Sequence, residues 1–259
     1  MATPSDPSAL FSLTHKHALI TGASSGLGAH FAKVLSSAGA NVGLAARRLD
    51  RLHDLAQTIG ASAVPIEMDV TDKGSIHNGL DAYVEATGHL PDILINNAGI
   101  ADPTGFLAAE DDQTDAVFAT NQKAVFSMAQ AISRRWIDAA MPGVIINIAS
   151  IAGLRPMGGA ASYAASKAAV IHLTKVQALE LARHQIRVNA IAPGYFSTEI
   201  NQDFLNSPQG EGLIKRVPMR RVGQYQDLDG VVLLLASDAS GFMTGSVITI
   251  DGGHLCASL

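Results

Sequence analysis

From His17 onward, short runs of β-branched and other apolar residues alternate with longer stretches in which apolar side chains return at helical spacing. The short runs lie at His17–Thr21, Asn41–Ala46, Ala63–Met68, Asp92–Asn96, Val144–Ala149, Arg187–Ala192 and Ser246–Ile250. They are continuously apolar rather than alternating, which predicts strands buried on both faces. The helical stretches are Leu27–Ala38, Asp50–Thr58, Lys73–Thr87, Asp112–Ala139, Ala161–His184 and Tyr225–Ser237. Each strand but one is followed by a crossover helix, so the chain predicts an α/β domain built on a seven-stranded parallel sheet. Ser197 to Gly223 has no clear period, and an interruption of that length in a compact domain suggests a substrate loop or lid. Met1–Thr14 is polar and carries two prolines, and it reads as a loosely held extension ahead of one domain over 15–259.

Composition narrows the class. A chain of 259 residues that is 47% hydrophobic can bury one large core without staples. Its lone cysteine, Cys256, can form no internal bridge, which suits a reducing cytoplasmic setting. The net charge of −5 argues against a nucleic-acid partner. No stretch is apolar for long enough to span a membrane, the N-terminus lacks the form of a secretory signal, and Ala257-Ser258-Leu259 is not a peroxisomal address. His172 and His184 have no second metal-type ligand nearby in sequence, so no metal site is expected.

The first strand runs into Thr21-Gly22-Ala23-Ser24-Ser25-Gly26-Leu27-Gly28, directly before the first helix. At that place in a βαβ unit, Gly22 allows a tight turn, Gly26 lets the backbone approach a pyrophosphate, and Gly28 lets helix and strand pack closely. The anion would sit at the positive end of the helix, with Ser24, Ser25 and Leu27 beside it. An NAD-binding chain places an acid at the end of the second strand; here Ala46 stands there, followed by Arg47 and Arg48. Without a carboxylate to repel a 2′-phosphate, and with guanidinium groups to bind one, the expected cofactor is NADP, NAD remaining possible.

Two further features suggest redox chemistry. Tyr163 and Lys167 are four residues apart and share a helix face, where a cation can lower a phenol from its usual value of about 10. Ser150 ends the fifth strand, at the carboxyl edge where ligands gather in such sheets. Reduction of a carbonyl needs a proton donor, a group that tunes it and a donor at the oxygen, and these three residues supply them.

The spacing T-G-x-x-x-G-x-G, then Asp69, Asn96-Asn97-Ala98-Gly99, Asn121, Ser150, Tyr163-Ala164-Ala165-Ser166-Lys167 and Pro193-Gly194, in that order, resembles the short-chain dehydrogenase/reductase family from Lys16 to Gly253. The resemblance implies a Rossmann-type, doubly wound sheet in the order 3-2-1-4-5-6-7. It implies that Asp69, with Val70, contacts adenine, and that Asn97, Ala98 and Gly99 line the adenine ribose. Thr198 and the main chain near Phe196, beyond Pro193 and Gly194, would hold the carboxamide. It gives Lys167 the ribose hydroxyls, and has Asn121 kink its helix and hold a water linking Lys167 to solvent. By position, Ile151, Ala152, Met157, Gly158, Tyr195, Phe204 and Leu205 would wall the substrate pocket, an apolar set with no charge clamp that favours a small hydrophobic ketone or secondary alcohol.

A reductase of carrier-bound 3-oxoacyl groups is the enzymatic alternative, although Val144 and Leu179 stand where such enzymes place arginines for the acidic carrier. A dinucleotide-binding sensor is the non-enzymatic one, and the complete set of Asn121, Ser150, Tyr163 and Lys167 speaks against it. Similar proteins assemble as homotetramers through the long fourth and fifth helices, and Trp136, Ile137, Ala168 and Ala169 suit such faces. His254 lies beside a C-terminal tail that in similar proteins can approach a neighbouring subunit.

Overall fold

The computed structural model describes residues 9–197, 205 and 207–257. Seven strands form one sheet: β1 His17–Thr21, β2 Asn41–Ala46, β3 Ala63–Glu67, β4 Ile93–Asn96, β5 Gly143–Ile148, β6 Ile186–Pro193 and β7 Val247–Ile250. All pairs are parallel and the order is 3-2-1-4-5-6-7. The helices are α1 Gly26–Ser37, α2 Leu49–Ile59, α3 Lys73–Thr87, α4 Asp111–Phe118, α5 Ala124–Asp138, α6 Ala161–Leu181, α7 Pro208–Ile214 and α8 Asp229–Ala236. Among the described residues, no helix is long and apolar enough to cross a membrane.

Alternate residues of each strand serve opposite cores. Ala18 and Ile20 of β1 pack with Phe31, Leu35, Val42, Leu44 and Val232 on one face, whereas Leu19 packs with Tyr83, Leu94, Ile132, Trp136 and Ile145 on the other. Burying both faces of a parallel sheet requires the near-continuous apolar runs seen in the sequence. The edge strands differ from that expectation, since β7 is only half-buried throughout and β3 is half-buried except at Ile66 and Glu67. An edge strand is covered by fewer neighbours, and its composition does not record this.

Three further differences bear on function. The helix expected over Asp112–Ala139 is interrupted by a π-turn at Ala119–Lys123, around Asn121. The stretch expected to be irregular contains α7, started by Ser207, whose hydroxyl accepts from the Gly210 amide, and by Pro208 in the first turn. At the N-terminus, Leu13 is fully buried and its amide donates to the Ala38 carbonyl at 2.8 Å, so the packed domain begins before the extension was expected to end.

The strand order reverses between β1 and β4, and the carboxyl ends of those two strands open the crevice where ligands bind in such sheets.

Candidate active site

The glycine turn and the Asn-Asn-Ala-Gly turn meet across this crevice. Thr21 Oγ1 accepts from the Asn97 and Ala98 amides at 3.0 and 3.1 Å, and Asn97 Nδ2 donates to the Thr21 carbonyl at 2.9 Å. Only glycine permits this approach. A Cβ on Gly22, whose φ is +66°, would fall 2.8 Å from the Ala98 Cα, and one on Gly28 would fall 2.4 Å from the Gly22 carbonyl oxygen. Gly26 faces open space, as it must if a phosphate is to lie over the start of α1. Val70 and Ala98 line one small crevice with Thr120.

Ala46 ends β2 buried, and Arg47 and Arg48 follow it exposed. The Arg48 guanidinium reaches back to the glycine turn and donates to Ser24 Oγ at 2.8 Å and Ser25 Oγ at 3.2 Å. Its charge therefore stands over the phosphate turn. Asp69 Oδ1 accepts from the Thr71 amide and hydroxyl at 2.9 and 2.7 Å. Desolvation works to raise its carboxyl, but these bonds and the charge of Arg47 hold it below the ordinary carboxylate range. A nucleotide carrying a 2′-phosphate fits this donor set, because three hydroxyls and two guanidinium groups border the turn and no carboxylate ends β2.

The residues expected to react come together one strand further along. Ser150 follows β5 as the cap of a single 3-10 turn, Ile151–Gly153, and its buried Oγ accepts from the Ala152 amide at 3.1 Å. Its own proton is left to donate, and the Tyr163 oxygen is within its reach. Tyr163 and Lys167 lie on α6 as the spacing requires, with Nζ 5.7 Å from the centre of the phenol ring. Lys167 is buried, Nζ donates to the Ile148 carbonyl at 2.8 Å, and burial lowers its ammonium to about 8. The phenol does not follow the expected direction. Burial pushes Tyr163 up, and a hydrogen bond with Ser150 only partly opposes it. Lys167 is directed at Ile148, so the hydroxyl keeps its proton at neutral pH and is ready to donate it.

Asn121 is fully buried in the π-turn. Its Oδ1 accepts from the Ile100 amide at 2.8 Å, and Nδ2 donates to the Ile100 carbonyl at 2.9 Å and to Ser166 Oγ at 3.1 Å. Both amide protons are thus committed to brackets between the β4 loop and α6. A Cβ on Gly99 would lie 3.3 Å from Asn121 Oδ1 and 3.6 Å from Lys167 Nζ, so the two side chains converge on that bare backbone.

The expected pocket wall is only partly realised. Ile151, Ala152 and Leu205 are almost wholly buried, and Phe204 and Thr198 fall outside the described residues. Met157 and Tyr195 remain accessible, with the Tyr195 hydroxyl 3.7 Å from Met157 Sδ. Pro193 and Gly194 pass so close to β7 that a Cβ on Gly194 would meet the Asp251 Cα at 2.8 Å, and the Phe196 ring is buried against Gly223. Phe196 therefore offers only its main chain to a ligand. A cavity of about 210 Å³ lies behind Tyr195, beneath Val217, Met219 and Gly252. Ser150, Tyr163 and Lys167 do not line it, and it lies under the α7–α8 connection.

Charge also borders the site, contrary to the expected apolar wall. Burial raises the Tyr195 phenol, which feels Arg216, Tyr163 and Arg155. Arg155 donates to the carbonyls of His254, Leu255 and Ala257 at 3.1, 3.4 and 3.1 Å, pinning the C-terminal tail beside Tyr195. Sequence separation of about a hundred residues hid that clamp. Gly153 was also missed. A Cβ there would fall 2.6 Å from the Lys167 carbonyl carbon, so its absence lets the Ser150 turn lie on α6. Asp102, likewise unforeseen, is buried in the segment between β4 and α4 and accepts at 2.8 Å from the hydroxyl of Ser162, in the first turn of α6 and next in sequence to Tyr163. Trp136 is not an interface residue. It is fully buried, and Nε1 donates to the Pro91 carbonyl at 2.6 Å.

The sequence pattern described as short chain dehydrogenase matches residues 16–209. Gluconate 5-dehydrogenase of Gluconobacter oxydans is 39% identical over 94% of this chain and 96% of its own. A 3-oxoacyl-(acyl-carrier-protein) reductase of Thermotoga maritima is 37% identical over 93% and 98%. The crystal structure of a gluconate 5-dehydrogenase from Burkholderia cenocepacia in complex with NADP and tartrate superimposes with a TM-score of 0.93 at 35% identity, covering 98% of this chain and 100% of that one.

Proposed function

The chain belongs to the short-chain dehydrogenase family, and from that premise we propose that it is an NADP(H)-preferring oxidoreductase that interconverts a ketone and a secondary alcohol. The observation that carries this reading is the convergence of Ser150, Tyr163 and Lys167 at the carboxyl edge of β5, beside a glycine turn bordered by Arg47 and Arg48.

The nicotinamide, when bound, supplies or accepts the hydride. All else falls to the chain. Ser150 donates to the carbonyl oxygen and fixes it, and Tyr163 gives its proton to that oxygen as negative charge develops there. Lys167, still cationic below about pH 8, offsets the charge left on the phenolate. Asn121 holds the Ile100 loop and Ser166 in place, so that the backbone at Gly99 and the α6 face keep their separation. In the oxidative direction the same groups return the proton. Asp69, Val70, Asn97 and Ala98 would border the adenosine half, and Gly194 with the Phe196 main chain the carboxamide.

Three observations support NADP over NAD: Ala46 leaves no carboxylate at the end of β2, Arg47 is exposed beside it, and Arg48 is braced by Ser24 and Ser25. Arg48 supplies from the β2 side the positive charge that the turn itself lacks. The carrier-protein reading gains no support from Leu179, which is 82% exposed and apolar where a cation would be needed. Leu179, with Phe126 and Val176, instead makes an exposed apolar set on α5 and α6 suited to a homotetramer.

The test is nucleotide consumption by the purified protein over a panel of ketones and alcohols with each cofactor. Turnover favouring NADPH on ketones is expected; no turnover of any member with either nucleotide would overturn the reading.

A further inference from the structure

Ser150 and Tyr163 are joined by a hydrogen bond between their side chains, yet they stand on different elements, Ser150 at the end of β5 and Tyr163 in the first turn of α6. Between them the chain makes the 3-10 turn Ile151–Gly153 and then crosses from Leu154 to Ala160. The turn is held firmly on its inner side. Ile151 and Ala152 are buried, the Gly153 amide donates to the Ser150 carbonyl at 3.0 Å, and Gly153 lies directly on the Lys167 backbone. The crossing has no such packing. Leu154, Pro156, Gly158 and Gly159 are exposed, and the paired glycines give its second half a wide choice of backbone conformations.

Arg155 fastens this crossing. Its amide donates to the Ile151 carbonyl at 3.0 Å and closes the turn that begins at Ser150. Its half-buried guanidinium donates to the carbonyls of His254, Leu255 and Ala257 at 3.1, 3.4 and 3.1 Å. These carbonyls belong to the 3-10 turn His254–Cys256 and the residue after it, where the helical ladder has ended, and a forked donor meets three of them at once. The tail is itself a rigid support. Asp251, directly after β7, accepts from the Gly253 and Leu255 amides, both at 2.8 Å, and the Gly194 amide donates to the Ile250 carbonyl at 2.8 Å. A series of bonds thus runs from the sheet through Asp251, the tail and Arg155 to the turn that carries Ser150.

We propose that Arg155 is a positioning residue for the reaction: by clamping the connection between Ser150 and Tyr163 to the carbonyls of His254, Leu255 and Ala257, it holds the Ser150 hydroxyl where it meets the phenol and the substrate oxygen. Arg155 acts through Ser150 rather than on the reacting atoms. The inference rests on the reading of the chain as a ketone and alcohol oxidoreductase in which Ser150 and Tyr163 work together.

The test is a double-mutant cycle on kcat, with NADPH and the ketone that the unmodified protein turns over fastest. Arg155→Met keeps a long side chain but none of its donors. It should lower kcat by about 10–10²-fold, the scale of a displacement on the order of 1 Å at a reacting group. The NADPH dissociation constant and the KM for the ketone should stay within about twofold of wild type, as for independent sites. In a Ser150→Ala background the same substitution should lower the residual kcat by no more than about twofold, because the group it positions is gone. A general loss of structure would instead lower kcat by one factor in both backgrounds. Arg155→Lys, which keeps a cation but loses the fork, should fall between methionine and wild type. Wild-type kcat in Arg155→Met, or an equal loss with and without Ser150, would overturn the positioning role while leaving the oxidoreductase reading intact. Should Arg155→Met not fold, Arg155→Lys is read in the same cycle by the same two outcomes. No turnover of any ketone or alcohol by the unmodified protein would overturn both.

Discussion

Lys167→Met should make the protein more stable and nearly inactive at once. Burial moves the Lys167 ammonium from 10.5 to about 8, a displacement that corresponds to ~3 kcal/mol of unfavourable free energy for keeping the cation folded at neutral pH. Methionine removes that penalty but also removes the donor to the Ile148 carbonyl, which costs ~1 kcal/mol. The balance, ~2 kcal/mol, should raise the melting temperature of the nucleotide-free protein at pH 7 by about 4–8 °C. The pH dependence isolates the cause. An unfolded lysine keeps its proton up to 10.5, whereas the folded one releases it near 8. Between those values the unfolded chain binds more protons, so the wild-type fold gains stability as the pH rises. Calorimetry at pH 7 and pH 10 should therefore show the advantage of the variant gone at pH 10. A Lys167→Met protein melting at or below wild type at pH 7, or keeping its advantage unchanged at pH 10, would refute the reasoning.

Tyr163→Phe should lower kcat by about 10²–10⁴ while leaving NADPH affinity, read by fluorescence titration, nearly unchanged, since it removes only the proton donor and leaves the residues of the glycine turn as they are. Arg48→Ala should raise KM for NADPH about tenfold with little effect on NADH, because it removes the charge bonded to Ser24 and Ser25. Ala46→Asp with Arg47→Leu should reverse the order of kcat/KM for the two nucleotides; an unmodified protein using NADH as well as NADPH would contradict that reading. Asp102→Asn should lower both kcat and the melting temperature at neutral pH. Hydrogen bonds from Thr104 and Ser162 depress the Asp102 carboxyl, so its contribution is present above the ordinary value of 3.8 and lost as the pH falls through the depressed one, and the melting deficit should shrink there.

Much of this arrangement is local and therefore legible in the sequence. β1, β2 and α3 fall within the boundaries read from periodicity, and the glycine turn, Ser150, Tyr163 and Lys167 lie where their spacing put them. What escaped was set by contacts distant in sequence. Nothing near Arg155 reveals that its donors close on the carbonyls of His254, Leu255 and Ala257. The buried chain from Asn96 to Asn147, and from there to Thr174 and Gln177, joins three elements whose polar residues look unrelated in sequence. The direction of the Tyr163 phenol was misjudged because helical spacing places Lys167 on the same face but does not say which acceptor its ammonium takes. One miss was readable. Ser207-Pro208 is an ordinary helix start, and it announces α7 within a stretch that otherwise lacks period.

The π-turn at Ala119–Lys123 makes the helix from Asp111 to Asp138 one residue longer than uniform α geometry would require. Such a turn is an α-helix that has absorbed a single inserted residue, and the segments on either side keep the faces they would have without it. Removing one residue between 119 and 123 would let the two halves fuse into regular helix, with α5 still burying Met128, Ile132 and Trp136. The polypeptide could tolerate the loss. Asn121 could not, because its carboxamide would no longer span Ile100 and Ser166. The surplus residue thus separates two demands that usually compete on one helix: a length change here would displace the Asn121 carboxamide while the face that α5 buries keeps its register.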